Sequence, residues 1–328
     1  MKKILILGKG RIGKAVEFYL KKYNLPLRVE FFSRERDIKK AFLLVSALPG
    51  SAGEKGLKLA LKYRKDLIDI SDLDYRFYIR NKKAIFERGI RVFPECGFSP
   101  GLTNLICGRE AKDNRVKEIE ILAGSLSKEN FSFPFLWCFE DLIETHQVKA
   151  TLIKKGRKIK TPPFSDYRKE KIEGVEAESY FAEGLESLLE NLKVKNMSYR
   201  VIRPFGFFIF FKYLENHGFF KRKNLDISRE ILESKKQDNL TIGQIRIKKK
   251  NQKIVWKMKS FSKKNEKLNS MQKITAVFPV VLVKLLLEKK FIDKGVLFPE
   301  KLGEDEKLFK KILSEIRKEI LISKFYIR

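Results

Sequence analysis

Gly8, Gly10 and Gly13 are spaced to carry a phosphate. They sit in Gly8-Lys9-Gly10-Arg11-Ile12-Gly13, after the apolar run 3–7 and before residues 14–20, which read as a helix. In that context each glycine has a mechanical task. Gly8 permits the tight turn out of the strand. Gly10 lacks a Cβ, so backbone can approach a pyrophosphate. Gly13 lets the helix pack closely. The helix N-terminus then offers free N–H groups and partial positive charge to the phosphates. The loop residues Gly8, Gly10, Arg11, Ile12 and Gly13 are therefore candidate dinucleotide ligands. An ordinary strand–turn–helix that binds nothing is the bland alternative.

The second strand, residues 27–32, ends at Ser33-Arg34. A site for NAD usually places Asp or Glu there, accepting from the ribose hydroxyls. Here a hydroxyl and a guanidinium suit a 2′-phosphate, which arginine holds with charge-assisted hydrogen bonds. Ser33 and Arg34, with Arg36 behind them, favour NADP. NAD stays possible through Glu35 if the strand ends later.

The rest of the first third alternates strand and helix. Residues 42–48 form an apolar run stopped by Pro49-Gly50, 54–63 an amphipathic helix, 66–72 a strand, 75–88 a helix and 90–93 a strand. Such alternation implies a mostly parallel sheet with helices on both faces. Ligands then lie at the carboxyl ends of the strands. That groups Gly8, Ser33, Ala47, Leu48, Pro49, Ser71, Asp72, Glu95, Cys96 and Gly97 around one crevice. Only about ten residues separate the second strand from Phe42, so the usual helix there must be trimmed.

From about residue 112 the pattern changes. Residues 116–122 alternate as a half-buried strand; 147–153 with 157–161, and 242–248 with 254–259, read as hairpins. Residues 181–192 and 225–235 read as helices, as do 273–289 and 304–321 in the tail. The expected fold class is α/β, a Rossmann-type parallel sheet with a second α+β domain of antiparallel strands. The first domain is expected to take residues 1–111 and 270–328, the second 112–269.

Composition bounds the partners. Of 328 residues, 71 are Lys or Arg and 41 Asp or Glu, a formal net charge of +30. Such a surplus attracts anions: nucleic acid, anionic lipid or small anionic molecules. The bias is spread along the chain, and the lysines at 248–267 read as a solvated hairpin face, so nucleic acid is the less favoured partner. No apolar run reaches the ~20 residues of a membrane span, the most apolar stretch being 205–211, and no signal peptide is evident. Cys96, Cys107 and Cys138 have no metal-ligand spacing, no metal is expected, and a reduced, cytoplasmic setting is the simplest reading.

Several segments together resemble the saccharopine dehydrogenase superfamily, which includes saccharopine reductase, lysine 6-dehydrogenase and carboxynorspermidine dehydrogenase. The carriers are the glycine loop, Val45-Ser46-Ala47-Leu48-Pro49 and Leu67-Ile68-Asp69-Ile70-Ser71-Asp72. The most specific is Glu95-Cys96-Gly97-Phe98-Ser99-Pro100-Gly101-Leu102-Thr103-Asn104, similar to the family's Gly-x-x-Pro-Gly-Leu-x-Asn. Residues 176–185, 275–279 and 295–300 add to it. The resemblance implies a pyridine-nucleotide oxidoreductase acting on a carbon–nitrogen bond. Hydride would pass between nicotinamide and an amine carbon through an imine, in a two-domain cleft, with substrate carboxylates clamped by cations. It also implies homodimerisation through the second domain. An anionic, amino-acid-derived substrate agrees with the basic chain, and saccharopine leads.

Residue roles follow segment by segment. Arg203 stands where the family has Thr-Leu-Arg-Tyr-Pro-Gly-His and is the implied carboxylate clamp; a surface arginine is the alternative. The histidine of that segment is Phe207 here. Gly124 lies in Ala123-Gly124-Ser125-Leu126, where several members have Gly-Gly-Leu-Pro. Trp137 could line a substrate pocket or pack in a core. Asp72, at a strand's carboxyl end, is the first acid–base candidate, with helix capping as the alternative. His146 is the second, although a lone histidine is more often structural. Cys96 lies at the crevice, where packing is the better reading of its thiol. The departures keep a second function open, a nucleotide-binding sensor or scaffold without catalysis.

Overall fold

The computed structural model describes residues 1–112, 115–127, 138–233 and 237–327. The chain forms two units. One contains Met1–Asp113, Glu186–Leu192 and Gln272–Glu319; the other contains Asn114–Leu185, Lys193–Met271 and Ile320–Arg328.

In the first unit the chain runs β1 (Lys2–Leu7), α1 (Arg11–Lys22), β2 (Leu27–Phe31), β3 (Leu43–Ser46), α2 (Glu54–Tyr63) and β4 (Asp66–Asp69). Then come α3 (Tyr75–Arg80), α4 (Lys82–Glu87), β5 (Arg91–Phe93) and α5 (Leu102–Ala111). The strands pair in parallel in the order β5-β4-β3-β1-β2. Leu43, Leu44 and Val45 in β3 are wholly buried, as expected of a continuous apolar run inside a sheet covered on both faces. Between β2 and β3 the usual helix has shrunk to one 3₁₀ segment, Glu35–Lys40. The single helix expected over 75–88 is broken at Asn81, whose side-chain N–H₂ donates to the Phe77 carbonyl at 2.8 Å.

The second unit is built on β6 (Val116–Ser127), followed by α6 (Phe139–Thr145), β7 (Ala150–Lys154), β8 (Arg157–Thr161), β9 (Arg168–Ile172) and β10 (Val175–Phe181). A short helix, α7 (Leu188–Asn191), belongs to the first unit. The chain continues with β11 (Asn196–Pro204), α8 (Phe207–Asn216), α9 (Leu225–Glu233), β12 (Asn239–Lys249) and β13 (Lys253–Ser262). Residues 181–192 do not form the expected helix. Strand β10 runs through Phe181, and positive φ at Gly184 and Glu186 turns the chain before α7. The second sheet is mixed: β6 and β11 pair in parallel, and its other pairings are antiparallel.

The chain then returns to the first unit. It forms α10 (Ser270–Leu287), β14 (Gly295–Val296), which adds to the parallel sheet beside β5, α11 (Pro299–Glu304) and α12 (Glu306–Ile316). Helix α10 corrects one expectation. It is long and apolar enough to cross a membrane, with 18 residues and mean hydropathy 1.6, but 72% of it is buried inside the protein. It is a core helix, with Lys284 near its end paired to Glu315 at 2.9 Å. The tail corrects another. The helix expected over 304–321 stops at Ile316, and β15 (Leu321–Ile327) pairs antiparallel with β13. β-branched and aromatic residues favour a pleated surface there, so residues 320–328 leave the first unit.

Helices α5 and α11 meet backbone to backbone. A Cβ on Gly108 would stand 2.0 Å from the Glu300 carbonyl oxygen, and one on Gly303 2.0 Å from that of Leu105. No side chain can move aside to relieve either clash. Overpacking of this kind costs about 1–3 kcal/mol. Gly108→Ala is expected to lower Tm by a few degrees in a thermal unfolding scan; an unchanged Tm would contradict the contact.

Candidate functional site

The carboxyl ends of β1, β3, β4 and β5 are stitched to one another. Gly8 has φ +101°, and a Cβ there would stand 2.4 Å from the Ala47 carbonyl oxygen. The Ala47 N–H donates to the Leu7 carbonyl at 2.7 Å, and the Ile70 N–H to that of Ser46 at 2.8 Å. A Cβ on Gly50 would stand 2.6 Å from the Asp72 carbonyl oxygen. The Cys96 N–H donates to the Asp69 carbonyl at 2.8 Å. The loops bearing Gly8, Ala47-Leu48-Pro49, Ser71-Asp72 and Cys96-Gly97 thus form one edge, as their spacing in the chain predicts.

The three glycines of the first loop differ in cause. Gly8 is required by its positive φ and by Ala47. Gly13 is required because a Cβ would lie 2.0 Å from the Gly8 carbonyl oxygen. Gly10 has no such cause. It has φ −72° and ψ −167°, open to any residue, and nothing stands within 4 Å of the place its Cβ would take. It caps α1, its carbonyl accepting from the Lys14 N–H at 3.1 Å. Arg11 opens the helix, and its carbonyl accepts from Gln272 Nε2 at 2.9 Å. Ile12 follows in the first turn.

Ser33 and Arg34 are exposed just beyond β2. The Ser33 hydroxyl donates to Asp37 Oδ2 at 3.3 Å. Glu35, the residue that could have served an NAD ribose, is engaged elsewhere. Its Oε2 accepts from Lys62 Nζ and from the Tyr63 hydroxyl, both at 2.7 Å. The Lys62 and Tyr63 hydrogen bonds hold its carboxyl below the ordinary range.

Ser71 does not offer its hydroxyl to a ligand. Its Oγ and N–H both donate to Asp69 Oδ1, at 2.5 and 2.8 Å, and the Tyr78 hydroxyl donates to Oδ2 at 2.8 Å. Asp69 is wholly buried, and burial pushes its carboxyl up to about 6 despite these donors. Asp72 is exposed beside it. The cap of α3 is Asp74 and not Asp72, the Asp74 carboxylate accepting from the Arg76 N–H at 2.8 Å. Cys96 is wholly buried, its thiol 3.3 Å from the carbonyls of Phe93 and Pro94, and burial holds it well above the ordinary thiol range. Packing is its role, as the thiol cannot face a ligand. Gly97 opens the turn that leads through a cis Ser99–Pro100 bond to α5.

Next to this edge Glu95, expected at the crevice, is instead tied into a buried cluster whose other members the sequence did not announce. Glu95 has φ +53°. Its buried carboxylate accepts from the Ser187 hydroxyl at 2.6 Å, the Ser187 N–H at 3.2 Å and Asn104 Nδ2 at 3.1 Å. Glu300, also buried, accepts from Asn191 Nδ2 at 2.5 Å. The members span residues 95 to 300, and no local spacing in the sequence announces them.

In the second unit, His146 and Arg203 come together, but in a core. Arg203 is 4% exposed and His146 2%. Arg203 Nε donates to His146 Nε2 at 3.3 Å, and the other ring nitrogen lies 2.6 Å from the Leu142 carbonyl. Phe207 and Phe211 stack on each other and flank the imidazole, with centroids at 4.9 and 5.1 Å. Burial, and then the Arg203 charge, push His146 well below its ordinary value. A neutral imidazole with both nitrogens engaged is not placed to exchange protons with a substrate, and a guanidinium so enclosed is not placed to clamp a carboxylate. Gly124 is explained by the sheet, since a Cβ would lie 2.0 Å from the Ile202 carbonyl oxygen. Trp137 lies outside the described residues. Among the described residues, no group of three or more His, Cys, Asp or Glu could hold a metal ion.

Comparison with known proteins places these features. No curated protein matches the chain. Among solved structures, the apo histidine-tagged saccharopine dehydrogenase (L-Glu forming) from Saccharomyces cerevisiae is similar over 100% of both chains, with a TM-score of 0.80 and 13% identity. At that identity the likeness is one of fold. A mutant meso-dapdh from Clostridium tetani E88 is more distant, at TM-score 0.49 and 15% identity over 98% of this chain and 100% of its own. The description "Saccharopine dehydrogenase C-terminal domain" fits residues 97–322. That span is well over half of the sequence, and on that ground the chain belongs to the saccharopine dehydrogenase family.

Proposed function

We propose that this chain is an NADP-preferring oxidoreductase acting on the carbon–nitrogen bond of an amino-acid-derived imine or secondary amine. The observation that carries the reading is Gly10. It is the one glycine of the loop that neither conformation nor neighbours require, so its missing Cβ is best accounted for by something that approaches from outside. A dinucleotide pyrophosphate on the N-terminus of α1 fits that demand. The engagement of Glu35 by Lys62 and Tyr63, with Ser33 and Arg34 exposed, favours a 2′-phosphate over a free ribose diol.

When bound, the cofactor would exchange hydride with the substrate carbon, accepting it from an amine or giving it to an imine. The chain's part is to hold its phosphates on Gly8–Gly13 and its adenosine end at Ser33 and Arg34, and to keep Asp72 within reach of a substrate nitrogen. Asp72 stays the acid–base candidate, because it is exposed at the same edge and is not the cap of α3. The yeast protein of like fold is a saccharopine dehydrogenase (L-Glu forming). Together with the basic surplus, this makes an anionic polycarboxylate such as saccharopine the leading substrate class. A second reading is favoured by the burial of His146 and Arg203 together: a dinucleotide-binding sensor in which catalysis has been lost.

Gly10→Ala separates ligand from fold. Replacing a glycine of ordinary φ stabilises a chain by about 0.4–1 kcal/mol through the unfolded state. The variant should therefore match or exceed the wild-type Tm, yet bind NADPH at least ~10-fold more weakly in fluorescence titration, a loss of about 1.4 kcal/mol. Equal NADPH affinity would remove the observation on which the reading rests.

Arg34→Ala should weaken NADPH by about 10- to 100-fold, the range for a lost charged hydrogen bond, and leave NADH nearly unchanged. Equal losses for both nucleotides would exclude the 2′-phosphate contact. Tight NADPH binding with neither oxidation of saccharopine by NADP+ nor reduction of related imines by NADPH would select the sensor.

A further inference from the structure

Strands β10 and β11 both belong to the second unit, yet residues 186–192 between them are built into the first. The chain therefore enters and leaves the first unit within seven residues, and something must hold so short a segment there. Its anchor is carboxylic. Ser187 gives both its hydroxyl and its N–H to Glu95, while Asn191 donates to Glu300 Oε1. Tyr75 donates to Glu190 at 2.9 Å at the segment's outer side.

Two buried carboxyls converge on this segment, and among the described residues neither is held in an ion pair. On the loop after β5 stands Glu95, and Asn104 of α5 donates to it. The segment itself adds Glu186, whose charge also bears on Glu95. Helix α11 brings Glu300, whose burial is opposed by the Asn191 side chain, its own backbone N–H, the nearby Ser187 hydroxyl and, last, the charge of Lys301. Cys107 of α5 feels the charges of Glu300 and Glu110, Tyr78 of α3 those of Asp69 and Glu95, and Cys96, next to Glu95, those of Asp69, Glu95 and Glu300. Glu300 cannot retreat, because the Gly108 and Gly303 contacts fix the α11 backbone against α5. The Ser187 hydroxyl proton is committed to Glu95. Glu300 Oε2 is buried and has no hydrogen-bond partner among the described residues. An ionised oxygen left so would cost several kcal/mol, and a proton on it removes the charge in place.

We propose that Glu95, Ser187 and Glu300 form a proton-held joint, in which one proton kept between the two carboxyls, on the Glu300 side, holds residues 186–192 on the first unit. Loss of that proton puts two like charges in one dry site and loosens the segment. Burial, then the charges of Glu300 and Glu186, raise Glu95 well above the ordinary carboxylate range, and burial raises Glu300. A carboxyl that binds its proton more tightly folded than unfolded stabilises the fold fully below the ordinary carboxylate range. That stabilisation is lost as pH climbs through the raised value. The joint is therefore firm at low pH and slackens on the alkaline side.

The test is hydrogen exchange of the full chain, read by mass spectrometry over residues 187–192, through a pH series from mildly acidic to alkaline. After correction for intrinsic exchange, wild-type protection should fall by up to about tenfold per pH unit between the ordinary carboxylate range and the raised value, and level off above it. Glu300→Gln keeps the shape, cannot ionise and removes one of the two like charges, so its protection should fall with pH less steeply than the wild type's, the remainder being the titration of Glu95, which burial still raises. Asp69 titrates in the same direction in both proteins and cancels in the comparison. Protection in the wild type that ignores pH would overturn the joint, as would a Glu300→Gln chain that loses protection at every pH. Should that variant not fold, infrared spectra of the wild type decide. A protonated carboxyl band that persists above neutrality, where Asp69 is ionised, supports the joint, and its absence refutes it. Neither readout depends on a bound nucleotide.

Discussion

The close approach of Gly8 to the Ala47 carbonyl is the constraint on which the nucleotide edge depends. It brings the turn after β1 onto the loop after β3, and the Ala47 N–H secures the register by bonding to Leu7. From there the stitching passes through Ser46 to Ile70, and through Asp69 to Cys96. Asp69 does most to keep the middle of the edge in order. A carboxylate wholly out of water would normally give up its charge, but three donors from Ser71 and Tyr78 compensate enough to keep its raised value near 6. The loops at the strand ends are therefore set by the sheet's own polar groups before any ligand arrives, which is what pre-organisation requires.

Against that background the glycines sort by cause. Gly8 and Gly13 serve the loop's own packing, Gly108 and Gly303 the contact of two helices, and Gly124 the pairing of β6 with β11. All five would clash with backbone oxygens if given a side chain. Gly10 differs in kind, with open space where the others have a wall. The distinction is physical and independent of the family: an unneeded glycine marks where the molecule leaves room for something else.

What the sequence reveals depends on how local the determining interaction is. The glycine loop, the helix over 54–63 and the alternation through β5 are legible because short spacing and apolar period decide them. The tail is not, since β15 is a strand only because β13 offers a partner some sixty-odd residues earlier in the chain. Residues 181–192 misread as helix because Gly184 and Glu186 take positive φ, and the gain that offsets this comes from distant Glu95 and Glu300. Ser71 and Asp69 could have been paired in advance, because an Asp two residues before a serine N–H is a local turn pattern. His146 and Arg203 read from their segments as an acid–base candidate and a carboxylate clamp, yet both lie in a core. Position in a motif says nothing about exposure, and here a cluster of phenylalanines encloses both.

Charge acts on two scales in this protein, and distance decides which prevails. A formal +30 draws anions toward the chain, and it would also favour ionised carboxylates wherever its field reached. Mobile salt limits that reach to about 8 Å at physiological ionic strength. Within the Glu95–Glu300 cluster the local terms are burial and like charge, opposed by Lys301 and a few dipoles, and these govern the proton. At Ser33 and Arg34, in open solvent, the surplus adds to the local guanidinium instead. A basic surface that collects anionic ligands and an interior that retains a proton are thus compatible, because screening divides one from the other.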